Sequence, residues 1–306
     1  MGYRTEMTRH PHFLSSAGVA LLLSLPAAMP AAAQQSPSDW NQPQQPFKIY
    51  GNTYYVGTHG LSAILVTSND GHVLIDGALP ESAPLIAANI RELGFRLEDV
   101  KVILNSHVHF DHAGGIAELQ RLTGATVRAS KPAAKVLSQG GEGDDDPQLG
   151  TNVGIAPVRN VKPFRGDEVI AVGPVQLTPH LTPGHTAGGT SWTWKSCEQA
   201  RCLNLVYVDS LTAVSANNFQ FTHNDRYPHA VEDFRKSFAT VSSLTCDVLL
   251  TPHPDVSGFW AKVEKRARDP AKSIDVFVDH SACRRLVDGA RQRLDKRIAD
   301  EKQPPR

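Results

Sequence analysis

From Phe47 to Asp76 the apolar residues fall in short runs divided by turn residues: FKIYG, TYYVG, LSAILVTS and, after Asn69-Asp70-Gly71, HVLID. Runs of this length, rich in β-branched and aromatic residues, predict strands, and the turn signals between them predict an antiparallel opening. The spacing changes over 80–94 (PESAPLIAANIRELG), where apolar positions recur at helical intervals between Pro80 and Gly94, a start and a stop signal. A strand is predicted at 101–105 (KVILN), a helix from Gly114 to Leu122, a strand from Ala125 to Ala129, and a loop rich in Gly, Asp and Pro over 139–163. A loop that long inside a compact domain is usually functional or disordered.

The stretch 167–209 repeats the opening pattern with DEVIAV, VQLTPHL, GTSWTWKS and LNLVYVD, which predicts a second sheet. Helical spacing returns at 228–243, a strand follows at 247–251 (DVLLT), and a charged amphipathic helix runs from about Asp275 to Asp300. Two successive halves of strands followed by helices predict an α/β (α+β) protein arranged as an αββα sandwich, two sheets face to face with helices outside.

At 306 residues, 41% hydrophobic and 20% charged, the chain has the composition of a globular protein large enough for a sizeable core. Its 31 basic and 31 acidic residues cancel, which leaves no global electrostatic footprint for nucleic acid or an anionic membrane. A small-molecule substrate is the expected partner, and a monomer is expected. At the N-terminus Arg4 and Arg9 precede an apolar stretch, Ala17 to Ala28, and a run of small residues, Ala31 to Ala33. That is the pattern of a secretory signal peptide over 1–33. The apolar stretch contains Pro26 and falls short of the roughly 20 residues a membrane span requires, so export to the periplasm is expected. Residues 34–46 read as a flexible, Gln- and Pro-rich lead-in, and 47–306 as one catalytic domain.

Export into an oxidising compartment favours disulfides, and four cysteines allow three pairings. Cys197 with Cys202 is the first choice, since the two bracket Glu-Gln-Ala-Arg between strand-like runs and would clip a hairpin. Cys246 and Cys283 would then tie the third quarter of the chain to the C-terminal helix. No C-x-x-C pair exists to suggest a cysteine zinc site.

The densest chemistry lies directly after the strand 101–105, where residues 107–112 read His-Val-His-Phe-Asp-His. Three imidazoles and a carboxylate in six residues form a metal-binding pattern, with ligand bonds of about 2.0–2.2 Å expected to zinc. His107 and His109, two apart on an extended backbone, point the same way at one ion, whereas Asp111 and His112 lie beyond a turn and face a second. Two further histidines follow strands: His185 in TPGHTAGG and His253 in TPHP. Six ligands divide into two catalytic sites of three protein ligands, each with an open position, separated by the few ångströms at which two ions act on one substrate.

Together the HVHFDH cluster, the TPGHT turn and the TPH turn resemble the metallo-β-lactamase superfamily over nearly the whole mature chain. His109 in place of a carboxylate separates the chain from the flavodiiron members. The segments GNTYYVGT, HVLIDG, SHVHFDHAGG, DPQLG, TPGHTAGGTSWTWKSCE, YVDSLTAVSA and CDVLLTPHP are similar to subclass B3 metallo-β-lactamases, in particular exported ones. That resemblance implies two Zn2+ ions, the first held by His107, His109 and His185 and the second by Asp111, His112 and His253. It implies that Ser210 and Thr212 meet the carboxylate of a bound β-lactam and that Gln148 reaches the site from the long loop. Both disulfides, Cys197–Cys202 and Cys246–Cys283, also match pairings known in the subclass.

The implied reaction is hydrolysis of the β-lactam amide of penicillins, cephalosporins and carbapenems by a dizinc-bound hydroxide, with resistance to those antibiotics as its consequence. Asp111 would be both ligand and orienter of the attacking water. Asp76, at the end of HVLID, is expected in a supporting role behind the ligands. Two other readings remain open. A thioesterase similar to glyoxalase II or a lactonase would use an acidic residue after the YVD strand, here Asp209, to bridge both ions. A periplasmic zinc-binding protein would use the same histidines without open positions. The turn Gly57-Thr58-His59-Gly60 lacks a cysteine that some relatives carry there, and His59 is expected to be a solvated loop residue. The acidic run 141–146 is expected to be a solvated loop, Trp192 and Trp194 packing residues, and His72, His180, His223, His229 and His280 structural.

Overall fold

The computed structural model describes residues 1–2, 40–269 and 274–303, and the sheets and helices all belong to the unit Gln34–Arg306. The expected signal peptide lies outside the described residues apart from its first two. The first sheet takes its strands in chain order: β1 (Phe47–Tyr50), β2 (Thr53–Tyr55), β3 (Ile64–Ser68), β4 (Gly71–Ile75), β5 (Val100–Leu104), β6 (Thr126–Ala129) and β7 (Lys162–Pro163). Its first four strands form the antiparallel meander expected, and β4 to β7 run parallel. Parallel neighbours need crossovers, which are supplied by helices α1 (Ala83–Glu92), α3 (Ile116–Thr123) and α4 (Lys131–Gln139). A one-turn helix, α2 (Phe110–Ala113), precedes α3.

The second sheet has the order β12 (Val248–Leu250), β11 (Arg201–Tyr207), β10 (Thr190–Glu198), β9 (Val175–Leu181), β8 (Ile170–Val172). Helices α5 (Ala230–Ser243), α6 (Phe259–Arg268) and α7 (Ala282–Glu301) follow its strands. Strand alternation decides the layers, because successive side chains point to opposite faces. In β3, Ile64 and Val66 enter the core between the sheets with Trp192, Leu205 and Tyr207 of the second sheet, while Leu65 faces Ile86 and Leu119 of the outer helices. In β11 and β12, Val206 and Leu249 face Phe234, Phe238 and Val287 of α5 and α7. Three apolar clusters between four layers make the αββα sandwich. Trp192 and Trp194 lie buried in the central one, as expected, their indole N–H groups donating to the Asn105 carbonyl and the Thr53 hydroxyl.

Several boundaries differ from the sequence reading. Helix α4 occupies 131–139, of which 131–138 carried no assignment and Gln139 was read as loop; Ser130 caps it by accepting from the Ala133 amide and donates to the Gly188 carbonyl. The C-terminal helix begins at Ala282 and not near Asp275, because Val278 pairs with Val248 and extends the chain before the helix starts. Residues 40–46, expected as a flexible lead-in, are fastened down: the Trp40 carbonyl accepts from Thr58 Oγ1 and the Gln42 carbonyl from the His59 amide. Both disulfides form as expected, Cys197–Cys202 across the β10–β11 hairpin and Cys246–Cys283 between the start of β12 and α7. Among the described residues no helix is long and apolar enough to cross a membrane.

Candidate metal centre

Strand direction collects the site. Strand β9 runs antiparallel to β10 and β10 antiparallel to β11, while β11 and β12 are parallel, so β9, β11 and β12 end at the same sheet edge. Their following loops carry His185, Asp209-Ser210 and His253, and the loop after β5 carries the His-Val-His-Phe-Asp-His run. Within that run His109 has extended backbone (φ −67°, ψ 152°) and precedes α2, whose single turn carries Asp111 and His112. The change from extended to helical backbone aims the two halves of the motif at different points. In the TPGH turn, Gly184 has φ +135°, and a Cβ there would meet the Phe234 ring at 2.6 Å, so only glycine brings His185 in.

Two ligand groups result. One atom from each of His107, His109 and His185 lies within 4.8 Å of the others. In the second group Asp111 Oδ2 is 3.1 Å from His112 Nε2 and 3.3 Å from His253 Nε2, and the two nitrogens are 3.2 Å apart. Ligand atoms about 2.0–2.1 Å from a tetrahedral zinc sit roughly 3.3–3.4 Å from one another. The Asp111–His112–His253 triangle therefore has the dimensions of three corners of such a tetrahedron.

The first group shows its fit through what lies behind it. His107 Nδ1 meets Asp209 Oδ1 at 2.7 Å, His109 Nε2 meets Asp146 Oδ2 at 2.8 Å, and His185 Nδ1 donates to the Thr212 carbonyl at 2.8 Å. Each imidazole thus spends one nitrogen on an orienting partner and leaves the other, the arrangement that fixes tautomer and direction in metal-bound histidines. His107 Nε2 is buried with no hydrogen-bond partner, a cost that a bound cation removes.

Electrostatics favour the same state. Burial, followed by His112 and His109, holds His107 well below the usual imidazole range. Burial and His109 push His185 down to about 3. Both rings stay neutral at physiological pH and keep the lone pair a metal needs. Burial raises the Asp111 carboxyl, but His112 and His253 outweigh it and hold the group well below the carboxylate range. His112 is the exception: burial drives it down and Asp111 up, the second effect wins, and a metal there displaces the proton that Asp111 favours.

A cavity of about 330 Å³ opens onto both groups. The ligands share its wall with Gln148, Ser210 and Thr212, and its apolar lining includes Trp40, Phe110, Val214 and Leu286. The Trp40 ring lies 5.2 Å from that of His253 and 6.3 Å from Phe110.

The superfamily model described as metallo-beta-lactamase matches residues 56–198. The Rm3 metallo-beta-lactamase is 54% identical, with a TM-score of 0.84 over 87% of this chain and 98% of its own. The chain belongs to the metallo-β-lactamase superfamily. MEM-A1, a subclass B3 metallo-beta-lactamase from a soil metagenome library, is 50% identical, with a TM-score of 0.83 over 86% of this chain and 98% of its own. An N-acyl homoserine lactonase of Bacillus cereus is 26% identical over 215 residues, 63% of this chain and 77% of that protein. The subclass B3 likeness and the ligand clusters make this chain a metal-dependent hydrolase.

All six expected ligands and all three expected substrate contacts of this metallo-β-lactamase family member line one pocket. Asp76 sits one layer further back than a direct support of an imidazole. Its carboxylate accepts from the Ser106 amide at 2.7 Å, the Ser106 hydroxyl at 2.7 Å and the Tyr207 hydroxyl at 2.8 Å, so it fixes the backbone entering His107. His59, expected as a solvated loop residue, is a loop residue only partly open to solvent; it stacks on Trp260 with ring centroids 4.7 Å apart. Two residues at the site went unread in the sequence. Asp146 was one of six residues in an apparently solvated acidic run, and Trp40 lay in the lead-in. Only its being the first residue of the DPQLG segment marked Asp146, and only its being the one large aromatic of that lead-in marked Trp40.

Proposed function

We propose that the protein hydrolyses the amide bond of β-lactams, penicillins, cephalosporins and carbapenems, at a centre of two zinc ions, and acts in the periplasm as a resistance enzyme. The observation that carries this reading is the meeting of two three-ligand groups, His107–His109–His185 and Asp111–His112–His253, with Ser210, Thr212 and Gln148 around one cavity. His107, His109 and His185 would hold one ion, and Asp111, His112 and His253 the other. Zinc in these positions supplies Lewis acidity toward the carbonyl oxygen and the departing nitrogen, and a water nucleophile at neutral pH.

The chain's own residues do the rest. Asp209, Asp146 and the Thr212 carbonyl hold three imidazole rings in one orientation, so no reorganisation is needed when substrate arrives. The Ser210 and Thr212 hydroxyls donate to the ring carboxylate and fix the lactam against the ligand groups, while Gln148 approaches from the loop on the other side. Asp111 uses Oδ2 toward the imidazoles, which leaves Oδ1 to accept from the attacking water. Trp40, Phe110 and Val214 keep bulk water from the reacting bond.

The lactonase and thioesterase reading requires Asp209 to bridge two ions. Here Asp209 Oδ2 is buried without a hydrogen-bond partner, but Oδ1 is engaged by His107 Nδ1, the nitrogen turned away from the ligand group. That engagement supports the lactamase reading. The test is a panel of a penicillin, a cephalosporin, a carbapenem, an N-acyl homoserine lactone and a glutathione thioester, each assayed with the zinc-loaded protein. The β-lactams are expected to have kcat/KM at least a hundredfold above the other two classes. A higher value for the lactone or the thioester would overturn the proposal.

A further inference from the structure

A second cavity, of about 550 Å³, adjoins the metal pocket and shares Thr212, Val256, Leu286 and Arg293 with it. Its charged lining is wholly basic: Lys262, Arg285 and Arg293, with no carboxylate. Two helices build it. Lys262 comes from α6, whose approach begins at the ligand His253 and passes through Val256. Arg285, Gly289 and Arg293 lie four residues apart on α7 and therefore share a face. Gly289 leaves the space between them open, since a Cβ there would meet the Arg293 guanidinium at 3.3 Å.

These cations differ in what they already hold. Arg285 is paired with Asp279. Lys262 and Arg293 have no ion-pair partner among the described residues. Lys262 is half-buried, and that burial pulls its pKa down against the pull of Asp279, whose carboxylate is committed to Arg285. An ammonium that has lost part of its hydration without gaining a counter-ion is poised for an anion from solution.

We propose that this cavity is the subsite for a second anionic group on the substrate, a carboxylate or sulfonate on the substituent next to the ring carboxylate. The proposal rests on the β-lactam reading above. Thr212 belongs to both cavities. In a cephalosporin the carbon bearing the carboxylate adjoins the carbon bearing the C3 substituent. A lactam whose carboxylate meets Thr212 therefore directs that substituent past Thr212 toward Lys262 and Arg293. The metal groups act on the bond to be broken, and this cavity selects among substrates by charge.

The experiment uses zinc-loaded full-length protein and two cephalosporins with the same C7 side chain, one with a neutral and one with a sulfonated C3 substituent. KM is expected to be about tenfold lower for the sulfonated substrate, as one charge-assisted contact allows. Lys262→Met is expected to remove that preference through KM and leave the neutral substrate within about twofold, and Lys262→Glu to invert it. Equal effects of Lys262→Met on both substrates, or an intact preference, would overturn the proposal. Calorimetric binding of benzene-1,3-disulfonate separates this outcome from failure of the β-lactam reading, because it needs no turnover. Binding weakened about tenfold by Lys262→Met supports the subsite even if neither cephalosporin is hydrolysed; unchanged binding overturns it.

Discussion

Asp146 ties the two functions of the pocket together through one carboxylate. Its Oδ2 holds His109 Nε2, while its Oδ1 accepts from the Gln148 amide at 2.7 Å. The residue is almost fully buried, and burial alone would raise its pKa; hydrogen bonding and charge from His109 win and hold it below the usual range. Removing it leaves His109 free to turn and the loop beneath Gln148 unsupported. Asp146→Ala is expected to weaken zinc binding by about 10–100-fold, the usual cost of losing a partner behind a ligand, and to raise KM through Gln148. Competition against a chromophoric chelator reads the first effect and steady-state kinetics the second. Unchanged zinc affinity would remove Asp146 from the account. Asp146 also marks the limit of what the sequence says at this scale. His107, His109, Asp111 and His112 are legible because six consecutive residues carry them, and His185 and His253 because each stands in a turn after a strand. Asp146 and Trp40 reach the site only by long-range folding, 37 residues from His109 in one case and beside Phe110 and His253 in the other.

Among the elements, α7 closes the second sheet and supplies Arg285, Leu286 and Arg293 to the cavities, so its docking matters to the site. Carboxylates fasten it at both ends. Asp247 accepts from the Asn204 amide, the Asn204 side chain and His280, while Glu301 accepts from the Phe221 and Thr222 amides and from Arg297. Burial raises both groups, but these donors outweigh it and hold each below its usual value, 3.8 for Asp247 and 4.5 for Glu301. A carboxylate depressed in the folded state contributes stability that is complete above its unfolded value and is lost as pH falls through the folded one. The destabilisation caused by Asp247→Asn with Glu301→Gln is therefore expected to be full at pH 6 and above, and to shrink as pH falls below about 4. Urea midpoints from pH 7 to pH 2.5 check this, and a gap that widens on acidification would contradict it. The elements read well from sequence where they bury a regular face, as in β3, β4, β5 and α5. Helix α4 escaped notice because it has nine residues with Pro132 near its start. Helix α6 escaped because it buries only Phe259 and shows solvent a charged surface with little apolar period.

At the scale of the molecule, two sheets with a common packed core hold ligands from three strand ends, and the loops carry the differences that choose a substrate. The sandwich was legible because both halves repeat one pattern, strands followed by helices. Its pairing was not, since alternation in β3 or β11 shows two buried faces without saying which partners cover them. The metal-dependent hydrolase follows from the family and from the ligand groups, whereas the β-lactam assignment rests on Ser210, Thr212, Gln148 and the engagement of Asp209. The most direct measurement is zinc titration of the chelator-stripped protein while hydrolysis of a chromogenic cephalosporin is followed. The account predicts no turnover without metal and activity that rises to a plateau at two zinc ions per chain. Full zinc occupancy without turnover, or turnover undiminished in the stripped protein, would contradict it.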